Sequence, residues 1–399
     1  MKTLLFVDDE PRLLQGLQRQ LRPMREEWDM HFVENGTLAL DFMRQQPVDI
    51  VVSDMMMPGM DGSQLLTEVA RQHPQTVRIV LSGHAEREAV LRLVGPAHQF
   101  LSKPCEPDEL RKAVSRAFAL RDLLGNEKLK ELTTRIRNLP TLPSLQGRLT
   151  EELGKEAPSI EKIGEIISHD VGMTAKILQL VNSAFFGLAQ PISTPADAVV
   201  YLGMNTVRSL VLSLGIFLQY EGKLCRSFSL DALAEHSWVT GSMARLIAHK
   251  ERRALQVVDQ CLLAGLLHDV GQIILAFGLP EEYEKVIARA KKDNLPVWQV
   301  EQEFFGATHA DVGAYLLALW GLPNQIVEAV ALHHLPAQST AMEFSPAIAV
   351  HVADVFAHKL TQSNTEVPPP QLDLAHMARI GCADQVDYWL EQCEQAFNP

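Results

Sequence analysis

Five short strand-like runs, at 4–7, 30–33, 50–52, 77–81 and 99–101, alternate with stretches of helical periodicity at about 11–23, 37–46, 63–72, 86–94 and 107–124. Strand followed by helix, five times over, predicts an α/β fold in which a doubly wound, five-stranded parallel sheet is covered by helices on both faces. In such a sheet the C-terminal strand ends gather along one edge, which is where open α/β sheets bind their ligands.

Four of those ends carry polar groups. Asp8 and Asp9 follow the first run, Asp54 ends the third, Ser82 follows the fourth and Lys103 the fifth. After Asp54, Pro58 and Gly62 force a loop before the next helical pattern. A carboxylate can act as a nucleophile toward a phosphoryl group. Several carboxylates in one place repel unless a hard cation joins them, and Mg²⁺ prefers such oxygen ligands. Phosphoryl transfer also asks for a fixed positive charge and a hydroxyl donor around the moving group. Asp9 would hold the cation, Lys103 would be the charge and Ser82 the donor. Taken singly, an Asp after a strand is more often a helix cap, and a Lys-Pro pair is more often surface. The set at four strand ends carries the reading.

With Asp8-Asp9, DMMMPGMDG from Asp54, IVLSGH around Ser82 and FLSKP around Lys103, residues 1–124 resemble the receiver domain of two-component response regulators, which has the flavodoxin-like fold. The resemblance implies that Asp54 is the phosphoacceptor. It implies that Asp9, Asp54 and the Met56 carbonyl hold Mg²⁺, with Asp8 supporting the site. It further implies that Ser82 takes a phosphoryl oxygen, that Lys103 pairs with it, and that Phe100 is an aromatic switch. A sensor histidine kinase is the implied partner.

Residues 125–138 read as a helical connector. Leu129, Leu132, Ile136 and Leu139 keep a 3-4-3 spacing. That spacing serves either a seam between two chains, as in a homodimer, or a helix that packs on its own domain. The pair Leu139-Pro140 and then Pro143 stop the helix.

From 139 to 399 the strand signal disappears and helical periodicity dominates, so this part is predicted to be all-α. Thr194-Pro-Ala-Asp197 fits a capping box with Asp in place of Glu. Ser159 does not open one, because Lys162 stands three residues on. LPTLP at 139–143, SHD at 168–170, VNSAFFG at 181–187, Ala198 with YLG at 201–203, and WGLP at 320–323 resemble an HDOD output domain, with a core at about 139–340. That resemblance implies a signalling module related to HD-type metal phosphohydrolases, one that acts through a downstream protein partner. Asn182 and Ser183 read as the C-cap of their helix.

Histidine occurs 14 times. His236, His268-Asp269, His309, His333-His334 and Asp354 form an ordered series on successive helical stretches. Imidazole with carboxylate suits a divalent transition metal such as Zn, Mn or Fe, and two metals can activate a bridging water. Singly, a His on an apolar helix is more often a hydrogen-bonded core residue. As a series these residues resemble the ligands of HD phosphohydrolases and of HD-GYP cyclic-dinucleotide phosphodiesterases. The departures are Gln272, where those enzymes carry Lys, and Leu335-Pro-Ala-Gln where they carry an acid and Gly-Tyr-Pro. A phosphohydrolase output is therefore the competing expectation to a non-catalytic one.

Composition sets the remaining bounds. With 399 residues, the chain has room for two or three domains. Five Cys without a close pair fit a reducing compartment, and the first residues are too short for a signal peptide, so the expected location is the cytoplasm with no membrane contact. The net charge is −13, most of it after residue 138. That acidity disfavours direct nucleic-acid binding by the helical part.

Overall fold

A computed structural model of the chain describes residues 2–83, 96–105, 107–123, 126–136, 139–155, 157–183, 188, 191–208, 210–211, 225–360 and 367–397. The helix expected at 86–94 lies outside them.

Strands β1 (Lys2–Val7), β2 (Trp28–Val33), β3 (Ile50–Asp54), β4 (Val77–Gly83) and β5 (Gln99–Lys103) form one parallel sheet in the order β2-β1-β3-β4-β5. Helices α1 (Pro11–Gln20), α2 (Gly36–Gln45), α3 (Gly62–Gln72) and α4 (Pro107–Leu123) cover it. The period-2 alternation of a strand divides its side chains between two cores. Leu4, Phe6, Ile50 and Val52 pack with Leu14, Leu17, Leu110 and Val114, on the side of α1 and α4. Leu5, Val7, Val51 and Val80 pack with Leu40, Met43, Leu65 and Leu66, on the side of α2 and α3. Every residue of β3 is buried, so its run is apolar without alternation. Asp61 and Gln64 cap α3 reciprocally. Gly62 has no space for a side chain against the Asp54 carbonyl, so the loop after Asp54 folds back on the strand end only with glycine there.

Helix α5 (Glu127–Arg135) starts at Asn126, whose side chain accepts from the Lys128 and Leu129 backbone amides. Leu129 and Leu139 are fully buried, and Leu132 lies directly on Gly278. The 3-4-3 stripe therefore packs into the chain's own core. Heptad spacing only demands an apolar partner, and here the output helices supply it.

The helical part follows as α6 (Pro143–Gly154), α7 (Ile160–Ser168), α8 (Val171–Val181), α9 (Pro195–Leu202), α10 (Met204–Arg208), α11 (Leu230–Lys250), α12 (Leu255–Leu267), α13 (Val270–Gly278), α14 (Pro280–Asp293), α15 (Val297–Phe305), α16 (His309–Leu319), α17 (Asn324–Leu332), α18 (Pro346–Leu360), α19 (Leu374–Arg379) and α20 (Val386–Phe397). Asp170 caps α8 through Met173 and also accepts from the Leu142 amide at 2.7 Å, tying 139–143 to that helix. Asn182 ends α8 as its C-cap and exchanges two 2.7 Å hydrogen bonds with the Ile192 backbone. The box expected at Thr194 is half formed. Its hydroxyl accepts from the Asp197 amide, but it also donates to the Asp197 carboxylate, which leaves the Thr194 amide unserved by that side chain.

Leu255–Gly278 is long and apolar enough to cross a membrane by length and composition, yet 83% of that window is buried inside the protein. It is also broken at His268-Asp269, between α12 and α13. Gly271, on the first turn of α13, sits against the His309 carbonyl with no room for a methyl group. Gly271→Ala should therefore overpack the α13–α16 crossing and cost about 1–3 kcal/mol. Thermal unfolding of the purified variant measures this, and an unchanged melting temperature would refute the close approach.

Candidate functional site

Two groups of chemically active side chains stand out, one at the sheet edge and one among the helices. At the sheet edge, Asp8, Asp9 and Asp54 each place a carboxylate oxygen within 4.8 Å of the others. Asp8 and Asp54 are buried, and Asp9 lies toward solvent. The Lys103 ammonium, at the end of β5, donates to Asp8 Oδ2 at 2.7 Å and to Asp54 Oδ1. Burial pushes the Asp54 carboxyl up, and Lys103 only partly offsets it. Burial pulls the Lys103 ammonium down, but its bonds to Asp54 and Asp8 outweigh that and raise it. Ser82 is fully buried at the end of β4, paired in register with Ser102. Phe100 is buried in the α2–α3 side core with Met55, Leu66 and Val80, while Met56 is exposed. Three acids and one ammonium leave an excess of negative charge among oxygen donors, which is the donor chemistry of a hard divalent cation.

The second group lies where α11, α12, α13, α16, α17 and α18 meet. His268 is the C-cap of α12 and His333 that of α17. His309 opens α16, held there by a Thr308–Asp311 capping box. His236 projects from α11 and Asp354 from α18. All seven residues of the sequence series converge, although not in the grouping their order implies. His236, His268 and Asp354 form one set of three close ligand atoms. Asp269 forms a second set with His268 and His333, and the third set is His309, His333 and His334. His236 Nε2 is 3.1 Å from Asp354 Oδ1, and His309 Nε2 is 3.1 Å from Asp269 Oδ1. His334 Nε2 and His309 Nε2 are 3.0 Å apart.

Backbone carbonyls set the tautomers. His268 Nδ1 lies 2.7 Å from the Gly265 carbonyl, and His333 Nδ1 lies 2.7 Å from that of Val330. A carbonyl only accepts, so Nδ1 carries a proton, and Nε2 of the neutral ring presents its lone pair inward. Neither Nε2 makes a hydrogen bond, nor does His334 Nδ1, and all three atoms are buried. His268 Nε2 is 3.4 Å from Asp269 Oδ2 but is not aligned to bond it. Buried polar atoms without partners are rare and call for a missing one.

Burial holds the His333 imidazole down to about 3, with His268 and His309 adding to it. Burial and the adjacent His333 likewise hold His334 well below its usual range. For His236 burial also wins, against Asp354. For His268 and His309 burial acts in the same direction, but the facing carboxylates prevail. Asp269 and Asp354 raise His268, and Glu301 and Asp269 raise His309 far more. Asp269 and Asp354 are themselves held well below the usual carboxylate range, because the surrounding imidazoles outweigh their burial.

Three residues of this centre escape a reading of the sequence. Glu301, fully buried on α15, accepts from His309 Nδ1 at 2.6 Å and from the His309 amide at 2.7 Å. Tyr283 donates to the other Glu301 oxygen at 3.0 Å. His358 lies 3.0 Å from Asp354 Oδ1, which raises it to about 9 against its burial. The four-residue spacing of Asp354 and His358 on one helix was a usable signal. Glu301 had none. Among the described residues, no Lys or Arg forms an ion pair with Asp269, Asp354 or Glu301.

Comparison with known proteins treats the two halves separately. The family model of the response regulator receiver domain matches residues 4–115, and that of the HDOD domain matches residues 139–336. The chain is 33% identical over 121 residues to the response regulator GtcR of Aneurinibacillus migulanus, covering 29% of this chain and 49% of that protein. It is 33% identical over 153 residues to the hydrogenase transcriptional regulatory protein HoxA of Cupriavidus necator, covering 38% of this chain and 30% of that protein. The chain thus spans less than half the length of these curated relatives. Among solved structures, the MmoQ response regulator from Methylococcus capsulatus is 26% identical, with 63% of this chain and 98% of that chain covered and a TM-score of 0.49.

Glu301→Gln removes the anion that faces His309 while keeping its shape. Titration of the His309 ring by NMR, in protein treated with a chelator, should show its pKa falling from the raised wild-type value. An unchanged titration would mean that Glu301 does not govern this imidazole.

Proposed function

The chain is a two-component response regulator, a receiver domain followed by an HDOD domain, and from that premise we propose that phosphorylation of Asp54 controls an HDOD output acting through protein contacts. The convergence of Asp8, Asp9, Asp54 and Lys103 at one sheet edge carries this reading. A sensor histidine kinase presents a phosphohistidine. An Asp54 carboxylate oxygen attacks its phosphorus, and the N–P bond breaks. Asp8, Asp9, Asp54 and the Met56 carbonyl would hold Mg²⁺, which would neutralise charge on the transferring group. Lys103 then pairs with the phosphoryl oxygens, Ser82 donates its hydroxyl to one of them, and Phe100 answers from the core below. The receiver comprises 1–124, the connector 125–138 and the output 139–399, all in the cytoplasm.

The output centre fits a divalent transition metal. Its donors are imidazoles and carboxylates, and three buried imidazole nitrogens lack a hydrogen-bond partner. Glu301 and the carbonyls of Gly265 and Val330 orient His309, His268 and His333 toward it. A metal there would draw two buried carboxylates and several helices together. The competing reading, a metal-dependent phosphohydrolase of cyclic dinucleotides, is favoured by the same ligand series. It is disfavoured by the lack of a paired Lys or Arg, among the described residues, to meet a phosphate, and by Gln272 at the start of α13.

With Mg²⁺ and a small phosphodonor, the wild type should gain one hydroxylamine-labile phosphoryl group and Asp54→Asn none, because an amide is no nucleophile. Intact-mass spectrometry reads this, and labelling that persists in the variant would place the acceptor elsewhere. Metal uptake should release protons, since His268 and His309 are the raised imidazoles and must lose a proton to ligate. Affinity should therefore rise with pH as these imidazoles lose their protons. Calorimetric titration with Zn²⁺ tests the sign, and affinity that falls with pH would contradict it. The double change His268→Ala and Asp269→Ala should abolish uptake and leave Asp54 phosphorylation intact. Cyclic-dinucleotide turnover that vanishes in that variant would favour the enzyme instead.

A further inference from the structure

The receiver and the output meet through polar contacts at one end of β5. Gln99 donates to the Ala318 carbonyl of α16 at 3.5 Å, and Gln179 of α8 donates to the His98 carbonyl at 3.2 Å. Arg78 donates to the Thr134 carbonyl of α5 at 3.2 Å, and His98 Nε2 lies 3.0 Å from it. The Lys176 ammonium sits 5.0 Å from the centre of the Trp320 ring, which ends α16 and packs beside Gln99 through Gly321. A cleft of about 500 Å³ opens at this junction, lined by Gln99, Phe100, Asn182, Ser183 and Trp320 among others.

Both elements at this junction end in a functional group. β5 runs from Gln99 to Lys103, whose ammonium holds Asp54 and Asp8. α16 runs from Trp320, at its C-cap, back to His309, whose ring meets Asp269 and His334. Eleven residues of helix span about 16 Å as one rigid unit. At its far end α16 is locked to α13, because Gly271 lies against the His309 carbonyl. Asp269 immediately precedes α13, so a shift of α16 carries His309 and Asp269 together. Asp354 belongs to α18, which among the described residues packs on α11, α12 and α17 and not on α16, so such a shift changes its distance from His309 and Asp269. α16 also packs on α4 and α5 within the shared apolar core, so the shift is a slide along that packing; the hydrogen bonds at the junction can be replaced by water, and the cleft leaves room beside Phe100 and Trp320.

We infer that β5 and α16 form one mechanical connection through which phosphorylation of Asp54 and metal binding at the histidine centre oppose each other. This rests on the metal reading of the output given above. The sign follows from geometry. With Lys103 bonded to Asp54 and β5 seated on α16, the ligand atoms of each set already lie within 4.8 Å of one another. Metal binding therefore favours this arrangement. A phosphoryl group on Asp54 draws Lys103 to its own oxygens and pulls on β5, which disfavours it. Linkage makes the effect reciprocal.

The test uses the full chain with Mg²⁺ in excess and beryllofluoride as the phosphoryl mimic, and reads Zn²⁺ affinity by calorimetry. Zn²⁺ affinity should fall by at least about fivefold when beryllofluoride is bound. Beryllofluoride affinity should fall by the same factor in the Zn²⁺-loaded protein. Gln99→Ala should shrink both factors toward one while leaving each affinity, measured alone, close to wild type. Amide hydrogen exchange over 309–320 should speed up with beryllofluoride in the absence of Zn²⁺. Equal Zn²⁺ affinity in both states, or a rise, overturns the coupling and leaves the metal reading standing. No Zn²⁺ uptake in either state overturns the metal reading, and the coupling with it.

Discussion

Two ionised carboxylates, Asp269 and Asp354, sit in the apolar centre of the output domain. Placing such charges there costs several kcal/mol each unless they are paired and hydrogen-bonded. The surrounding architecture answers that cost. The chain breaks between α12 and α13 at the point where Asp269 must emerge beside His268. α17 ends where His333 must turn inward, and α16 begins where His309 must do the same. His358 closes on Asp354 one helical turn further along α18. Carbonyls at the ends of two helices, otherwise without intrahelical partners, fix the imidazoles that face the carboxylates.

The same logic separates the two ends of the molecule by kind. At the sheet edge one ammonium joins two buried carboxylates, while a third, that of Asp9, lies toward solvent. In the helical core the groups are enclosed, and only the centre they surround is free to take a ligand. Between them, the shared apolar core runs from the α1–α4 side of the sheet through α5 to the output helices. The polar contacts of His98, Gln99, Lys176 and Gln179 cross that junction where β5 meets α8 and α16.

Much of this was legible in the sequence, and the exceptions have physical causes. The β–α alternation stated the sheet because each strand must be apolar to be buried on both faces, while its C-terminal end is free to be polar. The seven residues of the histidine series were visible as residue types in order, but their grouping was not. Which carboxylate joins which imidazoles depends on helix crossings such as that at Gly271, which no local pattern encodes. Glu301 was hidden because a single acid in an amphipathic helix looks like any solvated one. The stripe at Leu129, Leu132, Ile136 and Leu139 was seen, but spacing alone cannot say whether its apolar partner is another chain or the same one. At Thr194 the motif matched, yet Asp197 bonds the hydroxyl instead of the amide, whereas Asp311 in the like pair Thr308–Asp311 bonds both, a difference the motif does not carry.

The central claim is that the histidine series is a metal centre held in an output domain under receiver control. Anomalous diffraction from crystals of the full chain grown with Zn²⁺, collected on both sides of the zinc edge, tests it most directly. The account predicts density within about 2.0–2.3 Å of His268, His333 or His334 nitrogens and of an Asp269 or Asp354 oxygen. Zinc density confined to Asp8, Asp9 and Asp54 at the sheet edge, with none among the histidines, would contradict it.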